Sequence, residues 1–403
     1  MNRIGISAIV VAAGAWLCGP ALAQKYSGPG VTESEIKIGS LAPYSGPASA
    51  YGTIGKAYAS YFKKINDEGG INGRKINFIS YDDAYSPPKS VEQTRKLVES
   101  DEVLLVFGSV GTPTNAATQR YLNSHKVPQL FVASGASRWD DPSNFPWTMG
   151  WFPTYQSEGR IFGKYILSKY PNSKIAAIWQ NDDAGKDIMK GFKEALGSKS
   201  SMIVVEKTYE STDPTVDSQV VALRDSGADI LASFTTPKPA AQTIRKTAEL
   251  GWKPIFLLTN VSASIPSVLR PAGLENSKGI ISTVFLKDPN DPSWVDDPAV
   301  IGWRSFMDQY YPQGDKGDIN NVLAVVQAEA LIHVLKQCGE DLSRENVMKQ
   351  AASLKDYRSD LLLPGIHANT SPTDFLPLDQ LQIMQFDGRT WQRLGETIDA
   401  ALH

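Results

Sequence analysis

The segment VLLVFGSVGTPTNAATQRYLNS, residues 103–124, decides the fold. Val103 to Phe107 is an unbroken apolar run, the composition of a strand buried on both faces. Gly108 to Gly111 then supplies small residues for a tight junction. Pro113 suits the first helical position, where its missing N–H is not needed, and this predicts Thr112 as the N-cap. A buried strand passing through small residues into a helix is the unit of a parallel α/β sheet.

The same rhythm extends in both directions. Upstream, strand Ile36–Leu41 precedes a helix whose Ile54, Tyr58, Tyr61, Phe62 and Ile65 share one face. Strand Lys75–Tyr81 and a helix over Lys89–Glu99 come next, and after the deciding segment comes strand Gln129–Val132. Helices from Ser157, Lys186, Asp217 and Ala240 then alternate with strands at 175–179, 202–207, 230–234 and 255–258. So many units exceed one comfortable sheet. The fold class is therefore α/β, with two doubly wound lobes built on parallel-rich central sheets. Lobe changes are expected near Met149–Thr154 and Ser282–Leu286. Asp387-Gly388 marks a closing hairpin between strands 382–386 and 390–393.

Composition narrows the function. The 403 residues are 42% hydrophobic and 21% charged, with net charge −3, which gives no reason to expect a nucleic-acid partner. The N-terminus reads as a secretory signal peptide, residues 1–23: Arg3, an apolar run to Leu17, then Ala21-Leu22-Ala23, with cleavage expected after Ala23. That marks the mature chain for export. It retains one cysteine, Cys338, read as a packed thiol.

No catalytic signature is present: no H-E-x-x-H, G-x-S-x-G, Walker loop or G-x-G-x-x-G. His125, His333, His367 and His403 lack metal-ligand spacing, so neither a metal nor another cofactor is expected, and the chain is not read as an enzyme. Asp82-Asp83 and Asp182-Asp183 read as loop caps rather than acid/base dyads. What remains is two junctions rich in hydroxyls, Gly108–Pro113 and Ala133–Ser137. Ligands of open α/β sheets bind beyond the carboxyl ends of the strands. Hydroxyls and free N–H groups at a helix N-terminus there suit a carboxylate.

At these residues the chain resembles a known family. Ser45-Gly46-Pro47 with Tyr51-Gly52, Ile65-Asn66 with Gly69-Gly70-Ile71-Asn72-Gly73, and Tyr81-Asp82-Asp83 resemble the opening of the leucine/isoleucine/valine-type periplasmic binding proteins. Ser134-Gly135-Ala136-Ser137 and Gln385-Phe386-Asp387-Gly388 are similar to two further family segments. The resemblance runs from about Val31 to the C-terminus. It implies a type I bilobed protein with a three-crossing hinge: residues 31–151 plus 285–365 in one lobe, 152–284 plus 366–403 in the other. It implies a monomeric solute-binding component of an ABC importer, closing on a small molecule and presenting it to permease subunits.

Carried over by position, the first-lobe contacts fall on Tyr51, Thr112, Gly135, Ala136 and Ser137. The second lobe departs from the pattern. Ala184 stands where an aromatic is usual, and Thr259-Asn260-Val261 where amino-acid binders carry an acidic residue for the ammonium. Tyr85 and Gly111 occupy the places of a disulfide often seen in those binders. With Thr236 and Asn260 neutral, a carboxylate lacking an α-amino group fits better than leucine, although aromatic acids, aliphatic acids and branched-chain amino acids all stay open. Trp151, Phe152 and Phe285, at the expected hinge crossings, are candidates to stack on an aromatic acid or to pack the hinge. A periplasmic sensor presenting the ligand to a membrane receptor is the alternative. A neighbouring importer permease or a lone histidine kinase gene would discriminate the two.

Overall fold

The computed structural model describes residues 25–399; the expected leader and its cleavage site lie outside them. Two sheets form. The first contains β1 (Glu35–Ala42), β2 (Lys75–Asp82), β3 (Leu105–Phe107), β4 (Gln129–Val132) and β5 (Thr148–Gly150). Its order is β2-β1-β3-β4-β5 and every pair is parallel. The connecting helices are α1 (Gly52–Asp67), α2 (Pro87–Arg95) and α3 (Thr112–Ser124). The apolar stripe of α1 buries Ile54, Tyr58, Phe62 and Ile65 as its spacing requires.

The second sheet contains β6 (Ile175–Gln180), β7 (Ile203–Tyr209), β8 (Ile230–Phe234), β9 (Ile255–Leu258) and β10 (Ile281–Val284). The antiparallel pair β11 (Gln380–Phe386) and β12 (Trp391–Asp399) extends it, giving the order β12-β11-β10-β9-β8-β6-β7. Helices α4 (Tyr155–Lys169), α5 (Asp183–Leu196), α6 (Asp217–Asp225) and α7 (Pro237–Glu249) serve it, with one-turn pieces α8 (Arg270–Ala272) and α9 (Leu274–Ser277). Helices α10 (Pro298–Tyr310) and α11 (Ile319–Gln337) return to pack on α1, and α12 (Arg344–Ala351) packs on α11. The hairpin turn forms where Asp387-Gly388 requires it. The Asp387 N–H donates to the Thr390 carbonyl, and Gly388 takes φ 103°.

The chain crosses between the sheets three times: after β5, after β10 and before β11. Two crossing segments are tied together: Lys287 N–H donates to the Leu361 carbonyl and Leu363 N–H to the Phe285 carbonyl. Trp151 fills the first crossing, its ring 4.8 Å from Phe131 and 6.3 Å from Tyr357.

Two local features position residues around the space between the sheets. Phe131 sits inside β4 at φ 54°, with a register shift against β5, so the strand leaves the regular pleat just before residues 133–137. Helices α4 and α5 approach through glycines. A Cβ on Gly191 would lie 2.0 Å from the Gln156 carbonyl oxygen, and one on Gly159 would lie 2.1 Å from that of Ile188. Cys338 is buried near the end of α11, and burial pushes its thiol up to about 12.

Candidate ligand-binding cleft

A cavity lies between the two sheets at the carboxyl ends of their strands. The first half contributes Tyr51, Tyr85, Gly111 and Thr112 to its wall; the second contributes Tyr155, Gln180, Thr236 and Asn260. Ile54, Val110, Phe152, Ile188, Phe234 and Phe285 are among its apolar lining residues. Among the described residues no lysine, arginine or histidine lines it; Asp288 is its only charged wall residue.

Of the ten ligand contacts expected from the sequence, six line this cavity: Tyr51, Thr112, Ala184, Thr236, Asn260 and Phe285. Gly135, Ala136, Ser137 and Trp151 do not. Thr112 differs from its expected role. Gly111, at φ 103°, is the N-cap and Thr112 is the first residue of α3. Its hydroxyl shares a 2.6 Å hydrogen bond with Ser134 instead of capping its own helix. Trp139 Nε1 donates to the same Ser134 oxygen at 3.0 Å. The Tyr155 phenol also bonds in this cluster, and burial pushes it up to about 12.

Ser137 carries a different finding. Its backbone N–H and its hydroxyl both donate to one carboxylate, Asp187 of α5, at 2.7 and 3.0 Å. Gln156 Nε2 donates to Asp187 as well, at 3.1 Å. Next in sequence, Arg138 pairs with Asp183 at 2.6 Å. The donor pair expected to face a ligand carboxylate therefore meets a carboxylate of the chain itself, across the two halves. Tyr51 adds another bridge, donating to the Val261 carbonyl at 3.1 Å. Ser264 adds one more, donating to Asp318 at 2.9 Å.

The paired carboxylates act as caps. Asp82 accepts from Ser45 N–H and Ala84 N–H, Asp83 from Tyr85 N–H and Ser90, and Asp182 from Gly185 N–H at the start of α5. Asp182 also accepts from Gln180 Nε2 at 2.6 Å. Asp183 pairs with Arg138 instead of capping.

Sequence reasoning missed several groups. Ala84 and Tyr85 both adopt left-handed backbone, φ 51° and 58°, which swings the Tyr85 ring over Gly111. A Cβ on Gly111 would meet that ring at 2.5 Å, so only glycine admits it. The Tyr85–Gly111 pair, standing in place of a disulfide, was the available signal. Gln180 and Thr283 also line the cavity and carried no signal of their own, while Thr259 lies in the segment that the resemblance singles out.

Glu158 of α4 is the largest omission. It is 1% exposed, and its carboxylate accepts from Thr259 Oγ1 at 2.8 Å, Asn260 N–H at 2.7 Å and Thr283 Oγ1 at 2.8 Å. Burial pushes it above the usual carboxylate range while these donors pull it back. The second-half wall, neutral in sequence, is therefore backed by a carboxylate brought from a helix about a hundred residues away. Asp288 and Asp318 are both held up to about 6 by burial.

Comparison with known proteins agrees with this architecture. The sequence profile of the periplasmic binding protein family matches residues 35–390. A Leu/Ile/Val-binding protein homolog of Brucella suis is 23% identical over 350 residues, spanning 85% of this chain and 90% of its own length. A Thermus thermophilus branched-chain amino acid transporter structure with bound valine superposes with TM-score 0.81 at 15% identity, covering 92% of this chain and 97% of its own. A solute-binding protein of R. palustris in complex with benzoate gives TM-score 0.75 at 20% identity, covering 91% and 96%. With two mostly parallel sheets, a cleft between them and a profile match spanning both, this chain belongs to the periplasmic binding protein family.

Proposed function

We propose that the chain is the periplasmic solute-binding component of an ABC importer. It captures a small carboxylate with an apolar body, an acid or an amino acid, by closing its two halves, and offers the closed form to permease subunits. The observation that carries this reading is the cavity itself: it is walled from both halves and spanned by hydrogen bonds between them. A closed cleft requires a hinge, and the three crossings supply one. The valine and benzoate in the related structures are small carboxylates. The chain carries its own leader for export and works as a monomer.

The carboxylate sits at the start of α3. The helix presents unpaired N–H groups there, with the Thr112 hydroxyl and the Tyr155 phenol alongside. With no cation in the wall, dipoles and hydroxyls carry the charge, each donor contributing about 1–3 kcal/mol. Tyr51, Tyr85 and Phe285 enclose the ligand body, and Ala184 leaves room opposite.

A thermal-shift screen over amino acids, aliphatic acids and aromatic acids tests this. A ligand of the folded state raises Tm with the logarithm of its concentration over Kd. A hit abolished by a bulky cleft substitution such as Ala184→Trp supports the reading. No shift from any small carboxylate removes it.

A further inference from the structure

We propose that Glu158 is a positioning residue that makes the second-half wall of the cleft a hydrogen-bond-accepting surface, selecting ligands with a donor group (hydroxyl, amide N–H or ammonium) at the end away from Thr112. This deepens the function proposed above and rests on it.

Hydrogen-bond direction sets the character of this wall. A carboxylate only accepts. Thr259 Oγ1, the Asn260 N–H and Thr283 Oγ1 all contact it, so both threonine hydroxyl hydrogens point at Glu158. With its proton committed, Thr283 Oγ1 accepts from Asn260 Nδ2 at 3.3 Å. That fixes which end of the Asn260 amide is which: the nitrogen is turned into the Glu158–Thr283 network and the oxygen is left over. Among the described residues no donor reaches Asn260 Oδ1. Thr259, Asn260 and Thr283 all line the cavity, while Glu158 does not. The groups this wall has left to offer a ligand are therefore the Asn260 amide oxygen and hydroxyl lone pairs, with the Glu158 carboxylate one layer behind them. An acceptor-only group there would leave both partners without a proton, the costly case for buried polar groups. A donor completes the network, and an ammonium also gains from the charge.

Glu158 reaches across from α4 to the loop after β9 and to β10, tying three separate elements into one polar wall. The next residue is Gly159, whose lack of a side chain lets α4 settle against α5.

The test uses matched probes that differ only by a donor at the end away from the carboxylate: 4-hydroxybenzoate with benzoate, 3-(4-hydroxyphenyl)propanoate with 3-phenylpropanoate, and 6-aminohexanoate with hexanoate. Calorimetric Kd values are measured for wild type, Glu158→Gln, Glu158→Asp and Thr283→Val. Wild type should prefer the donor-bearing member at least tenfold in one pair or more. Glu158→Gln places an N–H where an acceptor stood, and should reduce that preference at least tenfold while changing the donor-free member less than threefold. Glu158→Asp should restore part of it. Thr283→Val keeps the carboxylate but cuts the relay, and should also narrow the preference; it carries the test where Glu158→Gln does not fold. A purely structural Glu158 would weaken both members alike, and that result overturns the proposal. Equal wild-type binding of both members in every pair overturns it while leaving the carboxylate reading intact. Binding of neither member in any pair takes that underlying reading down as well.

Discussion

Asp187→Ala should loosen the closure of the two halves by about thirtyfold. Asp187 is the acceptor for two hydrogen bonds from Ser137, at 2.7 and 3.0 Å, that run from one half to the other. Hydrogen bonds to a charged group contribute about 1.5–3 kcal/mol each when buried. Ser137 is only partly buried, so its donors recover water when released and the net loss is smaller, about 2 kcal/mol for the pair. At about 1.4 kcal/mol per tenfold change, that is roughly a thirtyfold shift toward the open form. Arg138–Asp183 remains in the variant and keeps the effect from being larger. Paired spin labels on cysteines introduced at the exposed Lys126 and Lys190, one on each half, read the distance directly. The buried Cys338 does not compete for label. The variant should show a broader, longer distance distribution than its parent, and a ligand found by screening should bind it about thirtyfold more weakly. An unchanged distance distribution together with unchanged affinity would refute the assignment of Asp187 as a latch.

Other outcomes come from the same structure. Thr112→Ala should weaken a carboxylate ligand by about 1–3 kcal/mol in calorimetry, and should also lower the Tm of the empty protein, because buried Ser134 loses its 2.6 Å partner. Gly191→Ala should lower Tm by several degrees, because the added methyl meets the Gln156 carbonyl oxygen at 2.0 Å and pushes α4 off α5. Asp288 and Asp318 have folded pKa values of about 6, above their unfolded range, so the folded chain holds protons that the unfolded chain has lost between about pH 4 and 6. Stability should therefore fall as pH rises through that window, by up to about 3 kcal/mol per group, and level off above it. Denaturant titrations of wild type and Asp288→Asn across pH 4–8 check the sign: the variant should lose part of the slope.

Much of the architecture could be read from the chain because it rests on local periodicity. The apolar run read as a strand over Val103–Phe107 forms one at Leu105–Phe107, and the helix read at 217–225 forms as expected. β10 carries no such signal, because Ile281–Val284 is short, half hydroxyl residues, and adjoins a crossing; its strand state comes from pairing with β9 and β11. Within the cleft, Thr112 at the junction after β3 was legible, since such positions face the sheet edge in any fold of this class, whereas Gly135, Ala136 and Ser137 at the next junction do not line the cavity. Glu158 was not legible. Nothing in Tyr155-Gln156-Ser157-Glu158 distinguishes it from an ordinary helix start, and its meaning arises only when α4 lies against the loop after β9. Ser137 shows the converse: its donors do form a carboxylate clamp, but the carboxylate comes from Asp187, fifty positions onward.

The three chain crossings also govern what an importer could read. A single connector would let one half swivel about several axes, as a ball turns in a socket. Three connectors side by side, two of them laced together at Phe285–Lys287 and Leu361–Leu363, leave one easy rotation, like a door on aligned pins. Cargoes of different bulk would then register as different angles of the same swing, and a membrane partner need gauge only one coordinate to tell a full carrier from an empty one.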